Sequence, residues 1–275
     1  MTILSALACQ IEIPPTPSVA ARDQHRAQML KKIERQLSLQ HHDLVVLPEL
    51  SSVEYSRASF DNLNELAEPL DGPSVNDFSA LAKEFECAVV FGMPRVGKGC
   101  DHISHVAIDA QGALIGHFDK LHIAQFGDSM EKEYFERGEH TLVFDVKGIR
   151  LAPIICYDIR IPEFCRSLVI DSGAHAILHC GAYARDESFD TWHHFAVTRA
   201  LENQVYFLSL NRAGDHFGNS VFCAPWVDNE QPADVFAARG EDFRTVTIDT
   251  DVIAEVREKY TFLGDRLDSY ANLGA

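Results

Sequence analysis

Short apolar runs alternate along this chain with longer stretches in which apolar residues recur every three or four positions. The first run, residues 3–11, predicts a strand. Residues 19–39 carry Met29, Leu30, Ile33 and Leu37 at helical spacing and predict an amphipathic helix. A compact run at 44–47 predicts a buried strand, 73–86 a helix with Pro73 near its start, and 87–92 a further strand. Residues 104–119 read as a hairpin that turns at Gln111-Gly112. Strands follow at 141–146 and 149–155, then a helix at 161–172, a strand at 175–180, a helix at 188–202 and a strand at 204–210. The pattern returns to strand at 219–226 and 243–249, with a last helix opening near Asp251. Such alternation predicts an α/β layered fold. The proline-rich 13–17 reads as a loop, and neither a repeat nor a linker divides the chain. Residues 1–275 are therefore expected to form one domain.

Three strand ends carry residues suited to acyl transfer. The apolar run 151–155 stops at Cys156, ahead of a helical pattern with Phe164, Leu168 and Val169 on one side. A cysteine at a strand-to-helix bend lies near backbone N–H groups and the positive end of the helix dipole, which lower a thiol pKa. The run 44–47 ends in Pro48 and Glu49, placing a carboxylate where open α/β sheets form their ligand crevice. Partial desolvation there raises a carboxyl pKa and suits it to proton transfer. Lys120 closes the β run of the hairpin, where it could hold a thiolate ionised or stabilise a developing oxyanion. Singly, each has an ordinary counterpart in an inert buried cysteine, a solvated glutamate or a surface lysine. Their common placement at strand ends is what argues for a joint site.

Composition narrows the function classes. With 24 basic and 41 acidic residues the net charge is −17, which argues against nucleic acid and anionic membranes as partners. No run approaches the roughly 20 apolar residues of a membrane-spanning helix. The amino terminus lacks a basic segment and reads as a first strand instead of a signal peptide. Seven scattered cysteines do not suggest a disulfide framework, so the reducing cytoplasm is the expected compartment. Thirteen histidines invite a metal site. Yet His41-His42 and His193-His194 are adjacent pairs, His175 and His179 fall on a strand, and neither Cys-x-x-Cys nor His-Glu-x-x-His occurs. No metal is expected. A Cys156–His179 pair remains open as a rival catalytic arrangement, because such partners meet only in space.

Glu49, Lys120 and Cys156, in that order, resemble the Glu-Lys-Cys triad of the nitrilase superfamily of carbon–nitrogen hydrolases. The resemblance spans nearly the whole chain. It rests on Leu47-Pro48-Glu49, Phe91-Gly92-Met93-Pro94, Lys120-Leu121-His122, the run from Cys156 through Glu163, Arg199 to Gln204, and Asn211-Arg212. It implies a four-layer α-β-β-α sandwich, paired into at least a homodimer through helices near the nucleophile and the C-terminal tail. It also implies the chemistry: Glu49 as the base, Cys156 as the nucleophile, and Lys120 with the backbone N–H of Tyr157 as oxyanion donors. A second glutamate is implied between the lysine and the cysteine; Glu131 matches that place best, with Glu133 as competitor. All these groups belong to the protein, so no cofactor is expected.

Some segments depart from the family pattern, among them 101–105, 215–226 and 228–242, the last expected to be an exposed turn. Tyr183 and Arg185, after the strand at 175–180, are candidate contacts for a polar or carboxylate-bearing substrate. The form of the cysteine motif resembles branches that cleave small ω-amides of dicarboxylates or aliphatic amides. N-carbamoyl amino acids and nitriles are the enzymatic alternatives, and a catalytically silent scaffold is the alternative from another class.

Overall fold

The computed structural model describes residues 2–127 and 129–271. Its first half runs β1 (Ile3–Gln10), α1 (Val19–Leu39), β2 (Leu44–Val46), the short α2 (Arg57–Phe60) and α3 (Leu63–Leu66), α4 (Pro73–Phe85), β3 (Ala88–Val96), β4 (Asp101–Ile108) and β5 (Leu114–Asp119). The second half runs β6 (Phe144–Val146), β7 (Ile149–Ile155), α5 (Pro162–Ile170), β8 (Ala176–Cys180), α6 (Phe189–Asn203), β9 (Tyr206–Leu210), β10 (Val221–Cys223), β11 (Asp234–Val235), β12 (Asp242–Asp249) and α7 (Thr250–Lys259).

Two six-stranded sheets result, ordered β12-β1-β2-β3-β4-β5 and β11-β10-β9-β8-β7-β6. Each has three parallel strands at its centre, β1-β2-β3 in one and β7-β8-β9 in the other, with antiparallel strands outside them. Parallel strands are joined by helices and covered on both faces, which explains why the central runs read as almost wholly apolar.

Side-chain alternation separates the layers. In the first sheet Leu7, Cys9, Val45, Val89 and Phe91 pack against Met29, Ile33, Phe78 and Leu81 of α1 and α4. Their neighbours Ala6, Ala8, Leu44, Val46, Ala88 and Val90 turn the other way and meet Leu151, Ala176, Leu178 and Leu208 of the second sheet. The outer face of that sheet, with Ile154, Ile177 and Phe207, packs on Phe164, Leu168, Trp192 and Ala196 of α5 and α6. The order is helix, sheet, sheet, helix. Fully burying one such Leu, Ile or Phe contributes roughly 1.5–3 kcal/mol, so the three apolar clusters dominate the stability of the fold. Among the described residues no helix is long and apolar enough to cross a membrane.

Some boundaries differ from the sequence reading. The strand expected at 87–92 continues to Val96 and pairs with residues from Asp101 onward, because hairpin partners extend a strand through the pattern-breaking Pro94 and Arg95. The segment 228–242 is mostly exposed, as expected, but contributes the edge strand β11. A 3₁₀ turn at Cys156–Arg160, not foreseen, stands between β7 and α5.

Candidate functional site

Glu49, Lys120 and Cys156 each follow a strand: Glu49 comes after β2, Lys120 after β5 and Cys156 after β7. The two sheets bring them together. Lys120 Nζ lies 2.8 Å from Glu49 Oε1 and 2.6 Å from Glu131 Oε1, and all three side chains are closed to solvent. Ligand-type atoms of Glu49, Glu131 and Cys156 fall within 4.8 Å of one another. Two acids and a thiol at such spacing could hold a cation. Here the positive charge is already supplied by Lys120, bonded to both carboxylates.

The two glutamates differ in what they hold. Glu131 Oε1 accepts from Lys120 and from the Tyr55 hydroxyl at 2.9 Å, and its Oε2 accepts the Ala124 N–H at 2.9 Å. Among the described residues Glu49 Oε2 has no hydrogen-bond partner. Glu133, the competitor in the sequence, is on the surface and forms a bidentate pair with Arg57.

Charge follows from burial and neighbours. Burial raises the Glu49 carboxyl above its ordinary value, against the pull of Lys120. Burial opposes the Lys120 ammonium, but Glu131 and Glu49 override it and hold its pKa well above the usual lysine range. Burial likewise raises the Cys156 thiol, with Glu49 adding to the effect while Lys120 and a hydrogen bond from the Ala182 backbone lower it. This corrects the expectation of a thiol depressed by a helix dipole. The helix α5 begins only at Pro162, and Cys156 opens the 3₁₀ turn, so burial and carboxylates outweigh the dipole.

The scaffold around these groups is specific. Cys156 has φ 45°, a left-handed conformation unusual for a side-chain-bearing residue. Asp158, fully buried, ties this bend to its surroundings: Oδ2 accepts Ile155 N–H at 3.0 Å, and Oδ1 meets His122 Nδ1 at 2.6 Å and its N–H at 3.0 Å. The cysteine and lysine motifs are therefore physically linked. Arg212, 1% exposed, donates to the carbonyls of Glu49, Leu50 and Val53 and fixes the glutamate loop from behind. Gly92 permits that loop to approach β3: a Cβ there would lie 2.5 Å from Leu50 N and 2.6 Å from Pro48 O.

A cavity of about 420 Å³ opens over Cys156 and Glu131, lined also by Tyr55, Tyr157, Arg160 and Tyr183. Its size suits a small molecule. Arg160 lies over the rings of Phe126 and Phe195 at 5.1 and 5.0 Å, and among the described residues no carboxylate pairs with it. Tyr183 lines the cavity, but its hydroxyl donates to the Cys156 carbonyl at 2.9 Å. Arg185 does not line it; its guanidinium bonds the carbonyls of Phe217 and Ala238 and lies over Phe189. His179 is near the nucleophile, but its Nε2 meets the Cys156 carbonyl oxygen at 3.0 Å and its Nδ1 meets Ser209, so both nitrogens are engaged away from the sulfur. Burial lowers its pKa to about 3. The Cys–His arrangement is not what the geometry offers.

Sequence reasoning assigned no role to Tyr55, Asp158, His122, Arg160 or Arg212. Asp158, His122, Arg160 and Arg212 sit inside the recognised motifs, which was the available signal. Tyr55 lies in an irregular stretch that carries none.

Comparison with known proteins agrees with this geometry. Residues 6–258 match the sequence profile of the carbon–nitrogen hydrolase family. The 2-oxoglutaramate amidase of Bacillus subtilis is 32% identical over 240 residues, covering 84% of this chain and 87% of that protein. The omega-amidase NIT3 of Saccharomyces cerevisiae is 30% identical over 248 residues, 84% of each. The crystal structure of a carbon–nitrogen hydrolase from Helicobacter pylori has the same fold, with a TM-score of 0.84, 22% identity and coverage of 98% and 97%.

Proposed function

Because the chain belongs to the carbon–nitrogen hydrolase family, we propose that it is a cysteine-dependent amidase that cleaves the ω-amide of a small dicarboxylate to carboxylate and ammonia. One observation carries the division of labour. Glu131 is bonded through both oxygens, whereas among the described residues Glu49 Oε2 has no partner, and the Glu49 carboxylate lies within 4.8 Å of the thiol.

Glu49 takes the proton of Cys156 as the sulfur attacks the amide carbonyl carbon. Burial raises the proton affinity of both groups, so the Glu49 carboxylate can draw the proton from the thiol, and the thiolate forms as it reacts. Lys120 and the Tyr157 N–H receive the oxyanion, and Glu131 holds the ammonium in place. The proton on Glu49 then passes to the leaving nitrogen. Ammonia departs, a thioester remains on Cys156, and water activated by Glu49 hydrolyses it.

The substrate class is supported by the names of the two amidase relatives and by Arg160. A guanidinium at a cavity wall that has no counter-ion among the described residues suits the distal carboxylate of such a substrate. All seven cysteines are free, which fits a reducing compartment such as the cytoplasm. Exposed Ile170 on α5 and Phe262 and Tyr270 in the C-terminal tail fit a homodimer through that face.

The test is ammonia release from a dicarboxylate monoamide, a neutral aliphatic amide, an N-carbamoyl amino acid and a nitrile, with wild type and Arg160→Gln. The ω-amide is expected to be preferred, and Arg160→Gln to raise its KM at least tenfold while leaving the neutral amide unaffected. Preference for the carbamoyl compound or the nitrile would overturn the substrate assignment.

A further inference from the structure

Hydrogen bonds run from Trp192 to the Cys156 carbonyl through residues that do not line the cavity. An indole N–H only donates, and Trp192 Nε1 lies 2.7 Å from Ser209 Oγ. Ser209 Oγ in turn lies 2.6 Å from His179 Nδ1. His179 Nε2 faces a carbonyl oxygen at 3.0 Å, which can only accept, so the ring proton of the neutral imidazole sits on Nε2. Nδ1 must then accept the Ser209 hydroxyl proton. Every donor and acceptor in the chain is used, and His179 and Ser209 are fully buried.

A second branch reaches the same oxygen. The Tyr183 hydroxyl donates to it at 2.9 Å, and the Tyr183 ring lies flat on Trp192, with centroids 4.7 Å apart and planes 5° from parallel. Both donors to the Cys156 carbonyl thus rest on Trp192.

We propose that Trp192, Ser209, His179 and Tyr183 form a two-branched clamp on the Cys156–Tyr157 peptide that aims the Tyr157 N–H at the reacting oxygen of the substrate. In a trans peptide the C=O and N–H point in opposite directions. Anchoring the carbonyl therefore fixes the direction of the N–H at the edge of the cavity, which Cys156 and Tyr157 line. Donation to the carbonyl also polarises the peptide and strengthens its N–H as a donor. The left-handed φ of Cys156 is a conformation that persists only when its surroundings hold it, and the clamp supplies that hold. Trp192, Ser209 and His179 are positioning residues, since they do not line the cavity, and Tyr183 acts through its hydrogen bond to the Cys156 carbonyl. The inference rests on the amidase reading of Cys156.

The experiment compares wild type with Ser209→Ala, Ser209→Thr and His179→Phe on glutaramate, with rates expressed per titrated Cys156 thiol. Imidazole nitrogen NMR of His179 is recorded on the same proteins. Ser209→Ala is expected to lower kcat about ten- to a hundredfold with KM within twofold, below the full loss of an oxyanion donor. Ser209→Thr, which keeps the hydroxyl, is expected to recover most of that loss. His179 is expected to be neutral and protonated on Nε2 between about pH 5 and 8 in wild type, and to lose its single tautomer in Ser209→Ala. An active wild type whose Ser209→Ala and His179→Phe variants keep kcat within twofold would overturn the clamp, as would a wild-type His179 protonated on Nδ1. A wild type that hydrolyses no amide would instead overturn the amidase reading beneath it.

Discussion

Glu49 holds Lys120 at 2.8 Å through one carboxylate oxygen and leaves the other without a partner in a site closed to solvent. An unpaired buried carboxylate oxygen is costly, and its retention on a carboxylate within 4.8 Å of a thiol is explained if that carboxylate exchanges protons there.

Glu49→Gln keeps the shape and one polar contact to Lys120 but cannot take a proton. General acid–base groups contribute about 10²- to 10⁴-fold, so kcat should fall within that range while the thermal midpoint moves by only a few degrees. Steady-state ammonia release paired with a circular dichroism melt checks both. Activity within tenfold of wild type would remove Glu49 as the base.

Lys120→Met leaves Glu49 and Glu131 facing each other without a counter-ion. Removing one partner of a buried ion pair typically costs about 3–5 kcal/mol, so a marked drop in chemical-denaturation midpoint is expected along with lost activity. Glu131→Gln, which keeps a neutral acceptor for Tyr55 and Ala124, should cost less. An unchanged midpoint in Lys120→Met would mean the ammonium does not stabilise the site.

Gly92→Ala should damage both stability and catalysis, because its Cβ would strike the backbone of Pro48 and Leu50, on either side of Glu49. Gly240→Ala is the control, with open space around the added methyl. We expect at least a tenfold fall in kcat for the first and none for the second. Equal behaviour of the two would show that the glutamate loop does not depend on that close approach.

Acid should weaken the fold between about pH 6.5 and 3. His105 and His179 are fully buried, and desolvation lowers both to about 3. In that window the unfolded chain binds protons that the native state refuses, so stability rises with pH across it and is lost as pH falls. Among the described residues neither ring nitrogen of His105 has a hydrogen-bond partner, and His105→Leu should flatten the dependence. Melting curves from pH 7 to pH 4 decide this; an equally steep loss in the variant would acquit His105.

The α/β alternation and the strand-end placement of Glu49, Lys120 and Cys156 were legible from local signals, while the four layers and the triad's roles came from the family resemblance. Buried parallel strands declare themselves as short apolar runs, and Glu49, Lys120 and Cys156 stand where such runs stop. The choice of Glu131 over Glu133 followed from likeness alone, and the contact with Lys120 shows the physical difference between them. What the sequence hid is set by tertiary contact. The thiol was expected to be depressed by a helix, but a 3₁₀ turn intervenes and burial dominates. Arg185 was favoured for its chemistry, and its guanidinium is bound to backbone carbonyls. Arg160, two residues beyond Asp158 in the same motif, faces the cavity instead. No periodicity could have distinguished those two arginines.

The central claim is that the reaction passes through Cys156. Ammonia release from an ω-amide by Cys156→Ala, measured beside wild type at equal folded concentration, tests it most directly. The account predicts loss to the uncatalysed background with an unchanged melt. Release by Cys156→Ala within a few-fold of wild type would contradict it.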